Sequence, residues 1–526
     1  MLQCIQISPD YGQGGQKVKV LTVRQMQNAE ENAVKLGMSF MRLMENAGAS
    51  CAKYINDYIK SESGRYRKIT ILCGSGKNAG DGLVIARKLK QFGYDISVIF
   101  LFDRLKAQET IEMYTMTDGL NIKFYKASLH YDEVEFEIES ADIIVDAIFG
   151  IGFAGKLDEA TRAIIEAANE SKAKIISIDV PSGLSGDGGE DVFVNADVTL
   201  AIAALKPVHL MNIDRIGKIV TVDISIPESC FPENAANVII PTDENIKRVL
   251  PQKSKYAHKG DFGRAVIIAG SLNYQGAAVL SANACVRSGA GITQLVIPKA
   301  AYSAIAAKVT EPILLPVASN ADGTFSEMAK WEILEAVKRA DAILIGCGIG
   351  DNAETNQIVY DVIRTAECPM VIDADGINAV AKNINILREA KAPIVMTPHP
   401  GEMSRLTGTR VGTSVAERIM TALRFSEEYN VVLALKGANT VVASHSLPVF
   451  INITGNNGMA TGGSGDALAG IIVSLLAQST KVFDATAAGV YIHGLCGDKA
   501  AKRLSRRGLT PTDMVKELPR VFANFE

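Results

Sequence analysis

Short apolar runs alternate with helix-like segments along most of the chain, and this alternation restricts the fold more than any other feature. The runs are apolar throughout, which is typical of parallel strands that helices cover on both faces. The first series of runs is Lys68–Cys73, Asp95–Leu101, Ala141–Gly150, Lys174–Gly183, Ala196–Leu205 and Gly217–Ser225. It predicts a doubly wound α/β unit.

A second series of the same kind predicts a second three-layer α/β unit. Its runs are Arg264–Ser271, Thr293–Pro298, Asp341–Gly350, Pro369–Gly376, Pro393–Glu402 and Val431–Ser444. Two apolar helices, Asp466–Leu476 and Val482–Leu504, are predicted to close the chain. The segment Pro227–Gly260 between the two series is rich in proline and polar residues, and 526 residues are too many for one ordinary domain. We therefore predict a Rossmann-like domain over residues 1–235 and a second α/β domain over 236–526.

Two helices are expected before the first of these strands. Thr22 and Gln25 have the spacing of a capping box, and Gly37 is a suitable residue for a helix stop. Apolar residues at helical spacing from Phe40 to Cys51 indicate the second helix.

Charge and cysteine usage exclude several classes of function. The net charge is −4 with both signs mixed along the chain, so no basic tract indicates nucleic acid or an anionic membrane as a partner. The 8 cysteines are scattered without a Cys-x-x-Cys pair, which argues against a zinc site and a disulfide framework. No apolar run approaches the ~20 residues of a membrane span, and the first residues lack the pattern of a secretory signal. We expect a cytoplasmic protein.

The stretch Gly462–Gly470 places closely spaced glycines, a serine and an aspartate at the start of an apolar helix. Backbone N–H groups of such a loop and the helix dipole would converge on one point, which suits a transferring phosphoryl group or an oxyanion. Asp466 at the helix start is then placed to take a proton from a substrate hydroxyl. The alternative is a plain glycine turn in which Asp466 is only the helix N-cap.

Three further motifs follow predicted strands of the second half. Lys436–Val442 offers a cation and backbone donors to a nucleotide phosphate, and Thr397–Gly408 places His399 and Glu402 on a strand-end loop between prolines. A structural role for His399 is the alternative. The turn Gly346–Asn352 is a weak signal by itself. No Walker loop is present in the sequence, so any nucleotide is held differently from that of a P-loop enzyme.

Four stretches of the second half resemble the ribokinase-like dehydratases of hydrated nicotinamide nucleotides. They are His258–Gly291, Thr397–Leu406, Lys436–Thr440 and Gly462–Gly470. The resemblance implies that Asp466 is the base that activates the substrate hydroxyl. The residues that it implies for the adenine nucleotide, ADP with Mg²⁺, are Lys436, Gly437, Ala438, Asn439, Thr440 and Gly465. The residues that it implies for the hydrate are Ala277, Gly350 and His399, together with Asp466.

Four stretches of the first half resemble the epimerases of the same hydrates. They are Met26–Ser50, Gly74–Gly82, Asp146–Lys156 and Ile178–Gly189. The resemblance implies that Asn78, Asp146 and Ser182 coordinate K⁺, and that Asp146 also acts in catalysis. For substrate binding it implies Lys77, Asn78, Ala79, Gly80, Asp81, Gly150, Ile151, Gly152, Phe153, Ala154, Gly155, Lys156 and Asp179. The alternative for Asp146 is a strand-end cap. The spacing in Gly74–Gly82 does not give the G-x-G-x-x-G pattern of a dinucleotide dehydrogenase.

The first half departs from the epimerase pattern at two positions. Where that family usually has Asn-Asn-Gly-Gly-Asp, this chain has Lys77 in place of the first asparagine and Ala79 in place of the first glycine. We expect Lys77 to point toward solvent, because a long lysine side chain can reach water from such a loop. Ala79 would be strained only if its position required a positive φ.

Taken together, the two resemblances imply a bifunctional repair enzyme. Its first half would interconvert the R and S hydrates of NADH or NADPH, and its second half would dehydrate the S form at the expense of ADP, giving AMP and phosphate. Phosphorylation suits this chemistry because hydroxide is a poor leaving group. We expect the hydrates and ADP as ligands, and a homo-oligomer. Two alternatives are an ATP-dependent kinase of a small alcohol with a fused binding domain, and a first half that binds without catalysis.

Overall fold

The computed structural model describes residues 18–62, 66–153, 156–185, 188–189, 192–211, 216–232, 236–239, 241–252, 255–412, 415–445 and 448–526. The chain divides into two compact units, Met1–Asn237 and Val238–Glu526. The boundary predicted near residue 235 lies outside the described residues, so it stays a prediction. Both units have layered α/β architectures, which confirms the predicted fold class.

A parallel sheet forms the centre of the first unit. Strands β1 to β10 are Val18–Val20, Lys68–Cys73, Asp95–Phe100, Lys123–Lys126, Ile143–Ala147, Lys174–Ile178, Leu184–Ser185, Gly188–Gly189, Val198–Ile202 and Lys218–Val222. The sheet order is β10-β9-β6-β5-β2-β3-β4, and all its pairs are parallel. The strand order reverses between β5 and β2. Ligands of doubly wound sheets bind beyond the carboxyl ends of the strands near such a reversal.

Helices pack on both faces of this sheet. Helices α1 to α7 are Val23–Lys35, Phe40–Ser61, Lys77–Gln91, Gln108–Thr117, Tyr131–Glu139, Glu159–Glu170 and Pro207–Met211. The predicted capping box of Thr22 and Gln25 is confirmed at the start of α1, and Gly37 follows that helix with a φ of 96°. Alternate residues of β2 enter two separate cores, with Ile71 in one and Leu72 in the other. This division is the signature of a sheet covered on both faces.

The second unit has a longer sheet. Strands β11 to β20 are Ala236–Ile239, Arg264–Ile268, Ile292–Pro298, Ile313–Val317, Ala342–Ile345, Met370–Ile372, Ile394–Met396, Val432–Leu435, Val441–Ala443 and Val449–Ile451. From β11 the order is β11-β20-β19-β18-β17-β16-β15-β12-β13-β14, and only the pairs β18–β19 and β19–β20 are antiparallel. The single strand predicted over Val431–Ser444 is therefore wrong. The polar, glycine-containing stretch Lys436–Thr440 turns the chain back into a hairpin.

Helices α8 to α18 complete the second unit: Asp243–Val249, Gln275–Arg287, Tyr302–Ala306, Lys330–Val337, Ala353–Thr365, Asp375–Lys382, Pro400–Thr407, Val415–Tyr429, Ser464–Ala477, Val482–Arg503 and Pro511–Phe522. Helix α16 is buried along its length from Ala467 to Ala477, which explains why its sequence is apolar on every side. The prediction that two helices close the chain is wrong, because α18 follows them, with a capping box of Thr510 and Asp513. Within the described residues, no helix is both long and apolar enough to cross a membrane.

Candidate active sites

The glycine-rich stretch of the second unit leads directly into α16. The helix begins at Ser464, and Gly463 is its N-cap with a left-handed φ of 94°. Asp466 therefore lies in the first turn of the helix, and the alternative that it is the N-cap is wrong. The unpaired N–H groups and the positive end of the helix dipole lie at this point, which favours a bound anion.

Asp466 has acidic and thiol neighbours that come from two other strand ends. One ligand atom each from Cys347, Asp373 and Asp466 lies within 4.8 Å of the other two. Burial raises the pKa of the Asp466 carboxyl to about 7, with a further contribution from the negative charge of Asp373. A hydrogen bond from Cys347 and the charge of Lys436 act in the opposite direction. A carboxyl with a pKa near neutrality is suited to general-base catalysis.

Lys436 joins this cluster through an ion pair. Its Nζ donates to Asp373 Oδ1 at 2.8 Å and lies 3.9 Å from Glu402 Oε2, while Thr397 Oγ1 donates to Asp373 Oδ1 at 2.8 Å. Burial disfavours the charge of Lys436, but Asp373 and Glu402 outweigh burial and raise its pKa. A Cβ at Gly465 would lie 3.0 Å from Lys436 Nζ. The glycine therefore leaves room for a ligand beside the ammonium group.

His399 and Glu402 lie at the start of α14. The prediction that both lie on a strand-end loop is wrong for Glu402, because Pro400 already begins the helix and Glu402 is in its first turn. His399 Nδ1 accepts from the backbone N–H of Gly401 at 3.0 Å and of Glu402 at 3.3 Å, and Glu402 Oε2 accepts from His399 N at 2.7 Å. Burial and the charges of Lys436 and Arg405 lower the pKa of His399. A neutral ring that accepts at Nδ1 carries its proton on Nε2. The His399 side chain is 51% exposed, so a ligand can reach it.

The turn that follows β15 links three parts of this site. Cys347 reaches the aspartates, and Gly350 N donates to Asp375 Oδ2 at 2.9 Å. A Cβ at Gly348 would lie 2.9 Å from Cβ of Ala277, so the turn runs against the start of α9. Gly348 and Gly350 both have a positive φ, which a residue with a side chain rarely adopts. The structure thus brings the predicted residues Ala277 and Gly350 to one turn beside the cluster.

The predicted nucleotide residues from Lys436 to Thr440 form the β18–β19 hairpin. Gly437 and Ala438 are exposed, and Gly437 N donates to Thr440 Oγ1 at 3.4 Å. Asn439 and Thr440 are buried and stabilise the turn. Thr440 Oγ1 donates to Gly437 O at 3.1 Å, and Asn439 Nδ2 donates at 3.3 Å to the backbone oxygen of Asn452, the residue after β20. Their side chains therefore shape the hairpin, and its exposed backbone is what a nucleotide could contact.

The first unit contains a cavity of about 490 Å³ at the carboxyl ends of its strands. Of the predicted substrate residues, the cavity wall includes Lys77, Asn78, Asp81, Gly150, Ile151, Gly152, Phe153 and Asp179. Ala79 and Gly80 are buried within α3 and are not part of the wall, and neither is Lys156. Ala154 and Gly155 lie outside the described residues.

Asp146 lies behind the cavity wall and is fully buried. Its carboxylate accepts from Ser182 Oγ at 2.6 Å, Ser182 N at 2.9 Å, Ser177 Oγ at 2.8 Å and Ile148 N at 3.2 Å. Burial raises the pKa of Asp146 although these bonds oppose the shift. Asn78 Nδ2 donates to Ile178 O at 3.2 Å. The amide oxygen of Asn78 takes no part in that bond. The structure thus joins Asp146 to Ser182 and leaves Asp146 without direct access to the cavity.

Lys77 and Ala79 lie in the first turn of α3. The glycine-containing stretch Gly74–Gly82 is therefore a loop only as far as its N-cap Gly76. Lys77 is exposed, and its ammonium group lies 3.9 Å from the centre of the Phe40 ring, a cation–π contact. Ala79 is buried in a helical conformation and does not have a positive φ. Alanine at this position is therefore not strained.

Several residues of both sites were missed by the sequence reasoning. In the second unit these are Asp373, Cys347 and Thr397, and in the first unit they are Glu30, Phe40, Lys206 and His209. Asp373 and Thr397 are polar residues inside the predicted runs Pro369–Gly376 and Pro393–Glu402, and they directly follow the observed strands β16 and β17. A polar residue that interrupts an apolar run was the available signal. Lys206 directly follows the predicted run Ala196–Leu205, and β9 itself ends at Ile202. Glu30 and Phe40 lie on helices α1 and α2 within the stretch Met26–Ser50, whose resemblance to the epimerases gave them no individual role.

Two family models match the chain. Residues 265–520 match the model described as NAD(P)H-hydrate dehydratase, and residues 41–208 match the model described as YjeF-related protein N-terminus. The two matches fall on the units that contain the α16 site and the cavity, respectively.

Several similar proteins are bifunctional NAD(P)H-hydrate repair enzymes. The one from Moorella thermoacetica is 35% identical over 92% of this chain and 92% of its own length. The one from Thermofilum pendens is 35% identical over 93% of each chain. A solved structure of an ADP/ATP-dependent NAD(P)H-hydrate dehydratase from Bacillus subtilis, co-crystallised with ATP and Mg²⁺, is 30% identical and covers 55% of this chain and 99% of that chain, with a TM-score of 0.48.

Proposed function

This chain belongs to the family of bifunctional NAD(P)H-hydrate repair enzymes, and from that premise we propose how its two units divide the reaction. Residues 1–235 interconvert the R and S hydrates of NADH and NADPH. Residues 236–526 dehydrate the S hydrate at the expense of ADP, giving AMP and phosphate. We further propose that the protein acts in the cytoplasm and associates as a homo-oligomer.

In the second unit, Asp466 takes the proton of the substrate hydroxyl while that oxygen attacks the terminal phosphorus of ADP. The bond between this phosphorus and the bridging oxygen breaks, and AMP leaves. The substrate then carries a phosphate ester, a far better leaving group than hydroxide. Loss of phosphate together with a proton from the adjacent ring carbon restores the ring double bond. A carboxyl with a pKa of about 7 can perform the first proton transfer near neutral pH.

The residues around Asp466 hold and stabilise the transferring group. The N–H groups at the start of α16 and the ammonium group of Lys436 stabilise the negative charge on the phosphoryl oxygens. Gly465 leaves the space beside Lys436 open for that group. The exposed backbone of Gly437 and Ala438 contacts the nucleotide, and Ala277, Gly350 and His399 contact the hydrate.

Mg²⁺ is implied with ADP, and the donors of this site fit it only in part. Asp373 is already paired with Lys436 and Thr397, and the thiol of Cys347 is a poor ligand for a hard cation. The phosphate oxygens of the nucleotide would therefore supply most of the ligands, and Mg²⁺ would neutralise part of their charge.

In the first unit, the cavity holds the hydrate, with Asp81, Asp179 and the segment Gly150–Phe153 on its wall. K⁺ is implied behind this wall, and the donors fit it, because a carboxylate, a hydroxyl and an amide oxygen are all ligands of hard cations. Asn78, Asp146 and Ser182 would hold the ion, which would fix the loops at the ends of β5 and β6. Since Asp146 has no direct access to the cavity, its proposed part in catalysis is to position Ser182 and the ion.

The observation that carries the dehydratase proposal is the position of Asp466 in the first turn of α16 beside the Lys436 ammonium group. The test is to incubate mixed hydrates with the protein, ADP and Mg²⁺, and to follow nicotinamide absorbance and free phosphate. We expect NADH or NADPH and one phosphate per turnover. A stable phosphorylated product that requires ATP would instead indicate a small-alcohol kinase. Conversion of the R hydrate without ADP tests the epimerase separately.

A further inference from the structure

A buried ion pair lies on the wall of the first unit's cavity. Asp179 follows β6 and Lys206 follows β9, and these strands are neighbours in the sheet. Lys206 is 2% exposed and Asp179 is 7% exposed, yet both line the cavity. Lys206 Nζ donates to Asp179 Oδ1 and to Ile202 O, the latter at 2.8 Å. A buried ion pair is weak evidence for a stabilising role, because desolvation of the charges opposes their attraction. This pair faces the ligand space, where its charges can act on a bound molecule.

Hydrogen bonds from the neighbouring residues hold Asp179 and Lys206 in one geometry. His209 Nδ1 accepts from Lys206 N at 3.0 Å, and Nε2 of the same ring lies 2.7 Å from Asp179 O. Burial lowers the pKa of His209 to about 4, so the ring is neutral and its Nε2–H donates to Asp179. Asp179 Oδ2 also accepts from Ile151 N at 3.2 Å. Asp179 itself has a φ of 66°, a left-handed conformation that the fold maintains at this site.

The cavity wall carries three carboxyl groups and two ammonium groups, and burial raises the pKa of Glu30 and of Asp81. The carboxyl groups of Glu30 and Asp81 line the same cavity as Asp179, and the cations on its wall are Lys77 and Lys206. The ammonium group of Lys77 lies over the Phe40 ring, whereas that of Lys206 is held by Asp179. Lys206 is thus the cation that is both buried and fixed beside the ligand space.

The substrate has a group that such a pair can act on. Water added across a carbon–carbon double bond next to a ring nitrogen places the hydroxyl on the carbon bonded to that nitrogen. The nitrogen lone pair can expel this hydroxyl if an acid protonates it, and the carbon becomes planar. The planar carbon has lost its R or S configuration.

We propose that Lys206 and Asp179 are catalytic residues of the epimerase, an inference that rests on the function proposed above. The ammonium group of Lys206 gives a proton to the hydroxyl, the C–O bond breaks, and water leaves as the C=N⁺ bond forms. Water then adds to the opposite face of the planar carbon, and its proton returns to the Lys206–Asp179 pair. The carboxylate of Asp179 stabilises the iminium cation between the two steps. No redox partner is required, and water is the only co-reactant.

The test uses the full chain and the purified R hydrate without ADP. Conversion to the S hydrate is measured by chromatography, and dehydration of S hydrate with ADP is measured in parallel. We expect Lys206→Met and Asp179→Asn each to slow conversion by about 100-fold or more. Lys174→Met is the matched control, because it removes a Lys–Asp pair with Asp197 near the other end of β6 and should convert at the wild-type rate. Conversion at the wild-type rate by folded Lys206→Met protein would overturn the proposal.

An isotope experiment on the wild type tests the step even if the Lys206 variant does not fold. In H₂¹⁸O, the S product should gain one oxygen-18 per conversion, after subtraction of exchange without protein. Retention of the original oxygen would contradict loss of the hydroxyl as water, while leaving the epimerase activity intact. A wild-type protein that does not convert the R hydrate at any K⁺ concentration would instead overturn the epimerase function and this inference with it.

Discussion

At the scale of single residues, Asp466 is subject to opposing electrostatic influences. Its place in the first turn of α16 and the charge of Lys436 favour the carboxylate, whereas burial and Asp373 favour the neutral acid. The outcome is a pKa of about 7, so the carboxylate and the neutral acid are both populated near neutral pH. Asp466 therefore allows two tests, one of its role as the base and one of the charges that set its pKa.

Asp466→Asn should reduce turnover of the S hydrate by about 100-fold or more, because the amide cannot accept the hydroxyl proton. Affinity for ADP, measured by calorimetry, should remain close to that of the wild type. Asp484→Asn, in the first turn of α17, is the control and should leave turnover unchanged. Near-normal turnover in folded Asp466→Asn protein would exclude Asp466 as the base.

The pH dependence of dehydration should follow the ionisation of Asp466. Only the carboxylate accepts a proton, so turnover at saturating substrates should fall about tenfold per pH unit below the pKa of about 7. In Asp373→Asn, removal of the nearby negative charge lowers the pKa of Asp466, and the acidic limb should move to lower pH. The measurement is turnover against pH for both proteins. A limb that stays in place or moves to higher pH would contradict this electrostatic account.

At the scale of secondary-structure elements, α16 depends on the conformation of the glycines before it. Gly463 has a φ of 94°, and a Cβ there would lie 2.6 Å from Leu280 Cδ1. Gly462, its neighbour in the chain, does not have a positive φ, and a Cβ there would meet nothing within 4 Å. A methyl group at Gly463 should therefore destabilise the fold, whereas a methyl group at Gly462 should not.

Gly463→Ala should lower the free energy of unfolding of the second unit by at least about 1 kcal/mol, because a left-handed alanine is strained and the methyl group is crowded. Gly462→Ala should change it by less than about 0.5 kcal/mol. Chemical denaturation of both variants, followed by circular dichroism, makes the comparison. Dehydration activity should fall in Gly463→Ala as the start of α16 shifts. Equal stabilities of the two variants would show that the loop adapts to a side chain.

At the scale of the whole molecule, each unit has hydrophobic cores of its own. Units with separate cores of this size commonly fold alone. Expressed as residues 236–526, the second unit should fold and dehydrate the S hydrate with ADP, while R hydrate is consumed only at the rate of spontaneous epimerisation. The measurement is hydrate consumption by chromatography, beside the full chain. An insoluble fragment, or one inactive on the S hydrate, would mean that this unit needs residues 1–235.

The sequence by itself determined the two α/β series, most strand positions and the presence of α16, although that helix begins at Ser464 and not at the predicted Asp466. These are local properties, because buried parallel strands and helix starts follow from apolar runs, glycines and caps within a few residues. The same local reasoning failed where a short polar turn decides between one strand and two, as at Lys436–Thr440. It also failed where a helix starts directly after a strand loop, as at Pro400 and Lys77. Family resemblance supplied roles for motif residues that local patterns do not contain.

Only the tertiary structure decided which side chains meet. Cys347 and Asp373 lie beside Asp466 because β15 and β16 are adjacent in the sheet, although more than 90 residues separate Asp373 from Asp466. Lys206 reaches Asp179 because β9 lies next to β6, and Asp146 is enclosed because β5 is central. Strand order is set by long-range packing of crossover helices, which local periodicity does not encode. The pKa of Asp466 and the charge balance of the cavity therefore follow from the assembled sheets.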